Sequence, residues 1–202
     1  MKYELNTVVP AILACLLSGI VSATPITGDG DASLAGASVW DFDELALTGL
    51  NQTASIVNPG GDVTFSALGS QYAIQDYTTY GYSDGPGIRT QGPTRVYEFV
   101  FGSSVSAFGM DLGAINSVWT ATAFDSANGF IESVAWPGAC CGQIFRGIAS
   151  TGIARVRISG SDDLLIDNLR YATAAKVPEP GPLALLGIGL VGMGFAGRRK
   201  KV

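Results

Sequence analysis

Apolar and polar residues alternate along most of the middle of this chain, in short runs separated by turn-forming residues. In residues 94–101, Tyr97, Phe99 and Phe101 fall on one side of an extended backbone, with Val96, Glu98 and Val100 on the other. In residues 153–158, Ala154, Val156 and Ile158 point inward, and Arg155 and Arg157 point to water. The same period predicts further strands at 38–42, 62–68, 104–110, 118–124, 130–135, 143–149 and 164–171. Asn58-Pro59-Gly60-Gly61 and Asn128-Gly129 mark turns, the latter favourable for a hairpin. About nine or ten short strands with no amphipathic helix predict an all-β, antiparallel β-sandwich over residues 38–173. Residues 80–94, rich in Gly and Pro, read as a long loop, and the small polar residues 24–37 as a flexible lead-in.

Two stretches depart from this alternation, one at each end. Val8 to Val21 is continuously apolar, the length of a signal-peptide core and short for a membrane span. With Val21-Ser22-Ala23 behind it, residues 1–23 read as a secretory signal peptide cleaved after Ala23. At the other end, residues 174–182 form a Pro-rich linker containing Val177-Pro178-Glu179-Pro180. Its prolines remove backbone donors and fix φ, keeping the segment extended and readable by another protein. Residues 183–197 predict one short transmembrane helix, followed by Arg198, Arg199, Lys200 and Lys201, bases that favour the cytoplasmic side.

The order of these parts resembles the PEP-CTERM sorting signal of Gram-negative bacteria. There a Val-Pro-Glu-Pro motif precedes a Gly/Leu-rich span and a basic end. The resemblance implies recognition by an exosortase-type membrane enzyme, with the precursor held in the inner membrane. It also implies later transfer to the cell surface or extracellular matrix. The uncharged run from Gly181 to Gly197 spans about 25 Å as a helix, short of a roughly 30 Å hydrocarbon core. Gly187, Gly189, Gly192 and Gly194 permit close helix contact, so the segment is better suited to transient docking than to lasting anchorage.

Composition narrows the function classes. Charged residues make up 14% of the chain, below the usual quarter, which suits an exported β-rich protein. From Thr24 to Lys176 there are 15 acidic and 7 basic residues, a net charge of −8. Such a surface opposes nucleic-acid binding. The chain has no histidine, which removes the commonest general base and the nucleophile pairs built on it. Cys140 and Cys141 are adjacent, without the C-x-x-C spacing of redox motifs, and read as structural or incidental.

Two constellations carry candidate chemistry. The first is acidic: Asp41, Asp43 and Glu44 early in the body, and Asp162, Asp163 and Asp167 near its end. First and last strands of a sandwich are often neighbours, so Asp41, Asp43 and Asp167 are candidate ligands for a structural Ca²⁺, which favours carboxylate oxygens. The alternative is that they are turn or strand-end residues bonded to local backbone. The two stretches loosely resemble the ends of exported jelly-roll modules, carbohydrate-binding ones included, and that resemblance implies a calcium held between them. The same acids could serve a glycosidase-like hydrolase, which needs two carboxyls flanking one bond.

The second constellation is aromatic. Tyr77, Tyr80 and Tyr82 bracket the long loop, and Trp119 and Trp136 lie in or beside later strands. Exposed rings stack on sugar faces, and Asp84, Arg89 and Gln91 could bond hydroxyls. Aromatics in a sandwich also fill the core, as expected for Trp119. Tyr80, Tyr82 and Trp136 are the candidate glycan-binding residues. The sequence thus reads as an exported, non-catalytic surface or matrix protein with polysaccharide as candidate ligand. A secreted hydrolase and a purely structural module are the alternatives.

Overall fold

A computed structural model describes residues 23–92, 95–139 and 142–173. Among them are eleven strands: β1 (Thr24–Ile26), β2 (Ser38–Trp40), β3 (Ile56–Val57), β4 (Val63–Ala67), β5 (Gln71–Asp76), β6 (Pro86–Gln91), β7 (Val96–Gly113), β8 (Trp119–Phe124), β9 (Phe130–Trp136), β10 (Gln143–Ser159) and β11 (Leu165–Thr173). Two short 3-10 turns, Ala32–Leu34 and Thr78–Tyr80, complete the regular structure. Residues 1–22 of the expected signal peptide, the sorting tail with its expected span, and Cys140 and Cys141 lie outside the described residues. Among the described residues no helix is long and apolar enough to cross a membrane.

The architecture follows from the two long strands. The first part of β7, Val96 to Phe101, pairs with β4 on one side and with the last part of β10 on the other. With β3, β8 and β9 this makes one layer, ordered β3-β4-β7-β10-β8-β9. The second part of β7, from Val105 to Gly113, pairs with β11 and with the first part of β10. That layer runs β5-β6-β11-β7-β10-β1, with β2 also on β11. The pairings are antiparallel, and both layers belong to one continuous hydrogen-bonded network.

The corner between layers is made by register shifts in β10 between Ala149 and Ile153 and between Ile153 and Arg155. Gly152 sits there at φ 79°, a backbone conformation that suits glycine. This explains why the sequence reads each long strand as two: the Gly and Ser residues at 102–104 and 150–152 look like turns but are bends. The shift also brings Ile153 inward with Val156 and Ile158, leaving Ala154 only partly covered. Arg155 and Arg157, expected in water, instead lie over the Phe124 ring at 4.4 and 5.6 Å and meet Glu98 at 3.3 and 3.1 Å.

Between the layers the inward residues interdigitate. Phe65 of β4 meets Tyr72 of β5 edge-on at 5.2 Å, and Phe108 of β7 meets Trp136 of β9 at 6.4 Å. Trp119 is fully buried and stacks near Tyr97, as its apolar neighbours suggest. Each such aromatic contributes several kcal/mol of burial at about 25 cal/mol per Å².

Two stretches differ from expectation. The lead-in 24–37 is ordered: β1 pairs with β10, and Asp31 Oδ1 accepts the Ser33 N–H at 2.9 Å to cap the first 3-10 turn. Ile26 and Leu34 then form a second apolar cluster with Ala107, Phe145 and Ala172 on the outer side of the second layer. Residues 80–94, expected as a loop, contain β6. A Cβ at Gly87 would lie 2.9 Å from the Ile166 carbonyl oxygen, so this glycine permits the close approach of β6 to β11.

Candidate functional site

The alternation of β7 and β11 decides what faces outward. Phe108, Met110, Leu112 and Ile166 point to the core, which leaves Asp111, Gly113, Leu165 and Asp167 on the outer side of the second layer. One end of that outer side is covered by the N-terminal cluster. The other is crossed by residues 77–85, which connect β5 to β6.

This connection is held by its own polar residues. Asp76 Oδ1 accepts from Thr78 N–H at 2.8 Å and from Thr78 Oγ1 at 2.6 Å, and Gly81 closes the 3-10 turn at φ 68°. The buried Ser83 hydroxyl accepts from Tyr77 N–H at 3.1 Å. Asp84 N–H donates to Asp167 Oδ2 at 2.8 Å. The Tyr82 carbonyl lies directly against Gly113, where a Cβ would overlap it.

Three tyrosines are thereby set in a row. Tyr77 and Tyr80 have ring centroids 6.0 Å apart, and Tyr80 and Tyr82 6.1 Å apart at 20°. Tyr80 is 69% exposed. Beside the row opens a cleft of about 250 Å³ lined by Tyr77, Tyr82, Arg89, Asn116, Asp163 and Leu165, among others. Arg89 donates to Tyr77 Oη at 2.9 Å and to Asp163 Oδ2 at 2.7 Å. Arg95 donates to Asp163 Oδ1 at 2.9 Å and to the Ser161 carbonyl at 2.6 Å. Burial of Asp163 opposes its ionisation, but the two guanidiniums hold it below the usual carboxylate range. The arrangement sets an apolar ring face for stacking beside fixed, charge-assisted donors and acceptors for hydrogen bonding.

Beneath the tyrosine loop lies a different environment. Asp167 is 2% exposed and stands opposite Asp111 across the β7–β11 ladder. Burial pushes Asp167 up to about 6, against the stabilising donations from Asp84 and Asn168, with Asp111 and Asp84 adding repulsion. Asp111 is also raised, again chiefly by burial.

The candidate metal ligands are distributed as follows. Asp41 is exposed and accepts the Asp43 N–H at 3.3 Å, the local-backbone role that a turn residue takes. Asp43 abuts Gly85, and Asp167 accepts from Asp84, so the two reach adjacent residues of the loop. Glu44 instead accepts from Trp40 Nε1 at 2.6 Å. Among the described residues no group of three or more Cys, Asp or Glu side chains is placed to hold a metal ion.

Of the candidate glycan-binding residues, Tyr80 and Tyr82 are brought together. Trp136 is not with them: it is 1% exposed, pairs with Trp119 across β8 and β9, and packs inward on Phe108. A strand-end tryptophan between Ala135 and Pro137 gives no sign of which face it takes. Asn51 N–H occupies Gln91 Oε1 at 3.1 Å, and Asp84, which does not line the cleft, bonds β11 through its main-chain N–H. Arg95 and Asn116 were not legible as site residues, because they lie in connecting segments that only the fold brings near Arg89 and Asp163.

Residues 176–200 match the model of the PEP-CTERM protein-sorting motif. A comparison with curated proteins gives no significant match. Among solved structures the chain is similar to a low-affinity xylan-binding module, CBM86, from Roseburia intestinalis, with 11% identity and a TM-score of 0.36 over 67% of this chain and 93% of that one. It is also similar to the K1 cleaved adhesin domain of Lys-gingipain from Porphyromonas gingivalis W83, with 10% identity and a TM-score of 0.41 over 69% and 99%. A mutant of the family 29 carbohydrate-binding module CBM29-2 gives 13% identity and a TM-score of 0.32 over 84% and 99%. TM-scores this low carry no function from those proteins to this chain.

Proposed function

We propose that this is an exported, non-catalytic surface or extracellular-matrix protein that binds polysaccharide through the tyrosine row and its cleft. The sorting motif at residues 176–200 supports export. In this reading an exosortase-type enzyme processes a membrane-held precursor, and the β-sandwich then stands outside the inner membrane. The observation that carries the binding role is the near-parallel pair of exposed Tyr80 and half-buried Tyr82 beside the Arg89–Asp163 cleft.

The cleft's chemistry favours binding over hydrolysis. A glycosidase needs two carboxyls flanking one bond, one of them protonated. Asp163 is the carboxylate among the residues lining this cleft, and two arginines keep it ionised. Asp111 and Asp167, whose ionisation is suppressed, lie beneath the loop and do not line the cleft.

The test is affinity gel electrophoresis of the full chain in mild detergent, run through gels containing soluble polysaccharides. Retardation by at least one glycan is expected, and Tyr80→Ala with Tyr82→Ala abolishes it while leaving the unfolding temperature within a few degrees. Retardation that survives the double substitution overturns the site, and no retardation by any neutral or acidic glycan overturns the function.

A further inference from the structure

A second hollow shares a wall with the cleft. It measures about 400 Å³ and is lined by Leu47, Thr48, Ile74, Gln75, Asp76 and Tyr77. Residue 48 runs along the free edge of β5, with Thr48 N–H donating to the Ile74 carbonyl at 2.9 Å and Thr48 Oγ1 accepting from Ile74 N–H at 2.9 Å. Tyr77 lines both hollows and divides them. Its hydroxyl donates to Gln75 Oε1 at 2.7 Å and accepts from Arg89, so the dividing ring is fixed before any ligand arrives.

Strand order gives the pair of hollows a direction. From residues 47–48 the wall passes to β5, β6, the start of β11 and the end of β7. Four strand spacings of ~4.8 Å make a path of about 19 Å across the strands. That is longer than one or two sugar rings and open at the Leu47 side, where Leu47 is 62% exposed.

The charges along the path discriminate between ligands. Asp76 and Asp163 line the two hollows with Arg89, and Arg89 and Arg95 are both committed to Asp163. With residues 24–176 at a net −8, a polyanion meets repulsion, and the two guanidiniums described beside the cleft are already paired.

Building on the carbohydrate-binding reading, we infer that the ligand is the interior of a neutral, linear polysaccharide that passes over Tyr77 and fills both hollows. The Leu47 hollow then acts only on chains long enough to reach it. Arg89 and Asp163 supply the polar contacts on the other side of the ring.

The test is calorimetric titration of the full chain in mild detergent with β-1,4-linked neutral oligosaccharides of two to six units (gluco, xylo and manno series) and with polyuronates. Affinity in one neutral series is expected to rise at least about tenfold from dimer to hexamer, with no binding of polyuronate. Leu47→Glu, at an exposed position, is expected to weaken the hexamer by about tenfold and leave the dimer unchanged. Affinity independent of length, an equal effect of Leu47→Glu on dimer and hexamer, or tighter binding of polyuronate overturns this inference while glycan binding stands. If none of these probes binds but another polysaccharide retards the chain in gels, the inference falls alone. If no glycan is retained at all, both readings fall.

Discussion

The main-chain N–H of Asp84 donates to the buried carboxylate of Asp167 at 2.8 Å, so the loop that carries the tyrosines is tied to a group whose own ionisation is suppressed. In the fold Asp167 keeps its proton up to about pH 6, whereas in an unfolded chain it would release it near its ordinary value of 3.8. Between those values the folded state binds more protons, so stability falls as pH rises through that window. The contribution is on the order of 3 kcal/mol, present in full below about pH 4 and lost above about pH 6. Thermal scans from pH 4.5 to 7 should therefore show a falling unfolding temperature, and Asp167→Asn should flatten the slope. An unchanged slope in that variant would place the titration elsewhere.

Gly113 lies where a Cβ would overlap the Tyr82 carbonyl. Gly113→Ala should displace the loop, costing about 1–3 kcal/mol and weakening glycan retention while the core stays folded. Limited proteolysis within residues 77–85, together with gel retardation, checks both effects.

Trp136 and Tyr80 should behave oppositely. Trp136→Ala opens a cavity beside Phe108 and should cost about 3–5 kcal/mol in urea unfolding with no direct effect on ligand affinity. Tyr80→Ala, at a largely exposed ring, should change stability by less than about 0.5 kcal/mol and remove most of the binding. A stability loss at Tyr80 as large as that at Trp136 would make the tyrosine row a packing device.

Glu98 faces Arg155 and Arg157 on the outer side of the first layer. Glu98→Gln leaves two half-covered guanidiniums side by side over Phe124 without a counter-charge. A loss of roughly 1–2 kcal/mol is expected in low salt, shrinking as ionic strength rises.

Replacing Pro178, Glu179 and Pro180 by alanine should leave the unprocessed precursor in the membrane fraction. Mass spectrometry of membrane and extracellular fractions reads this directly. Normal release of a shortened chain from the triple variant would show that processing reads something other than the motif.

The alternation at Tyr97, Phe99 and Phe101 made the strand character of β7 legible, and the aromatics of a Gly/Pro-rich stretch pointed to the loop that bears the tyrosine row. The layer-crossing geometry was hidden, because Gly152 serves a bend as readily as a turn and only its register with β7 tells them apart. β6 escaped for a related reason: Gly87 reads as a breaker but answers to the Ile166 backbone. Trp136 was misplaced because an aromatic at a strand end has no local mark of its face. Asp163 was visible as an acid, yet its two arginine partners come from β6 and from the residue before β7, separations of 74 and 68 residues that no local pattern records.

The two ends of β11 have mechanical meaning. The cleft forms at its beginning, at Asp163 and Leu165, while the chain leaves it at Thr173 toward the sorting tail. A tug between a captured polymer and a tethered C-terminus would run lengthwise along about 26 Å of this one strand. β7 lies on one flank, and β6 and β2 on the other, so the load meets ladders in shear, many bonds at once, instead of unzipping them singly. On the proposed reading, the strand that would floor the ligand would also be the cable by which the domain holds on.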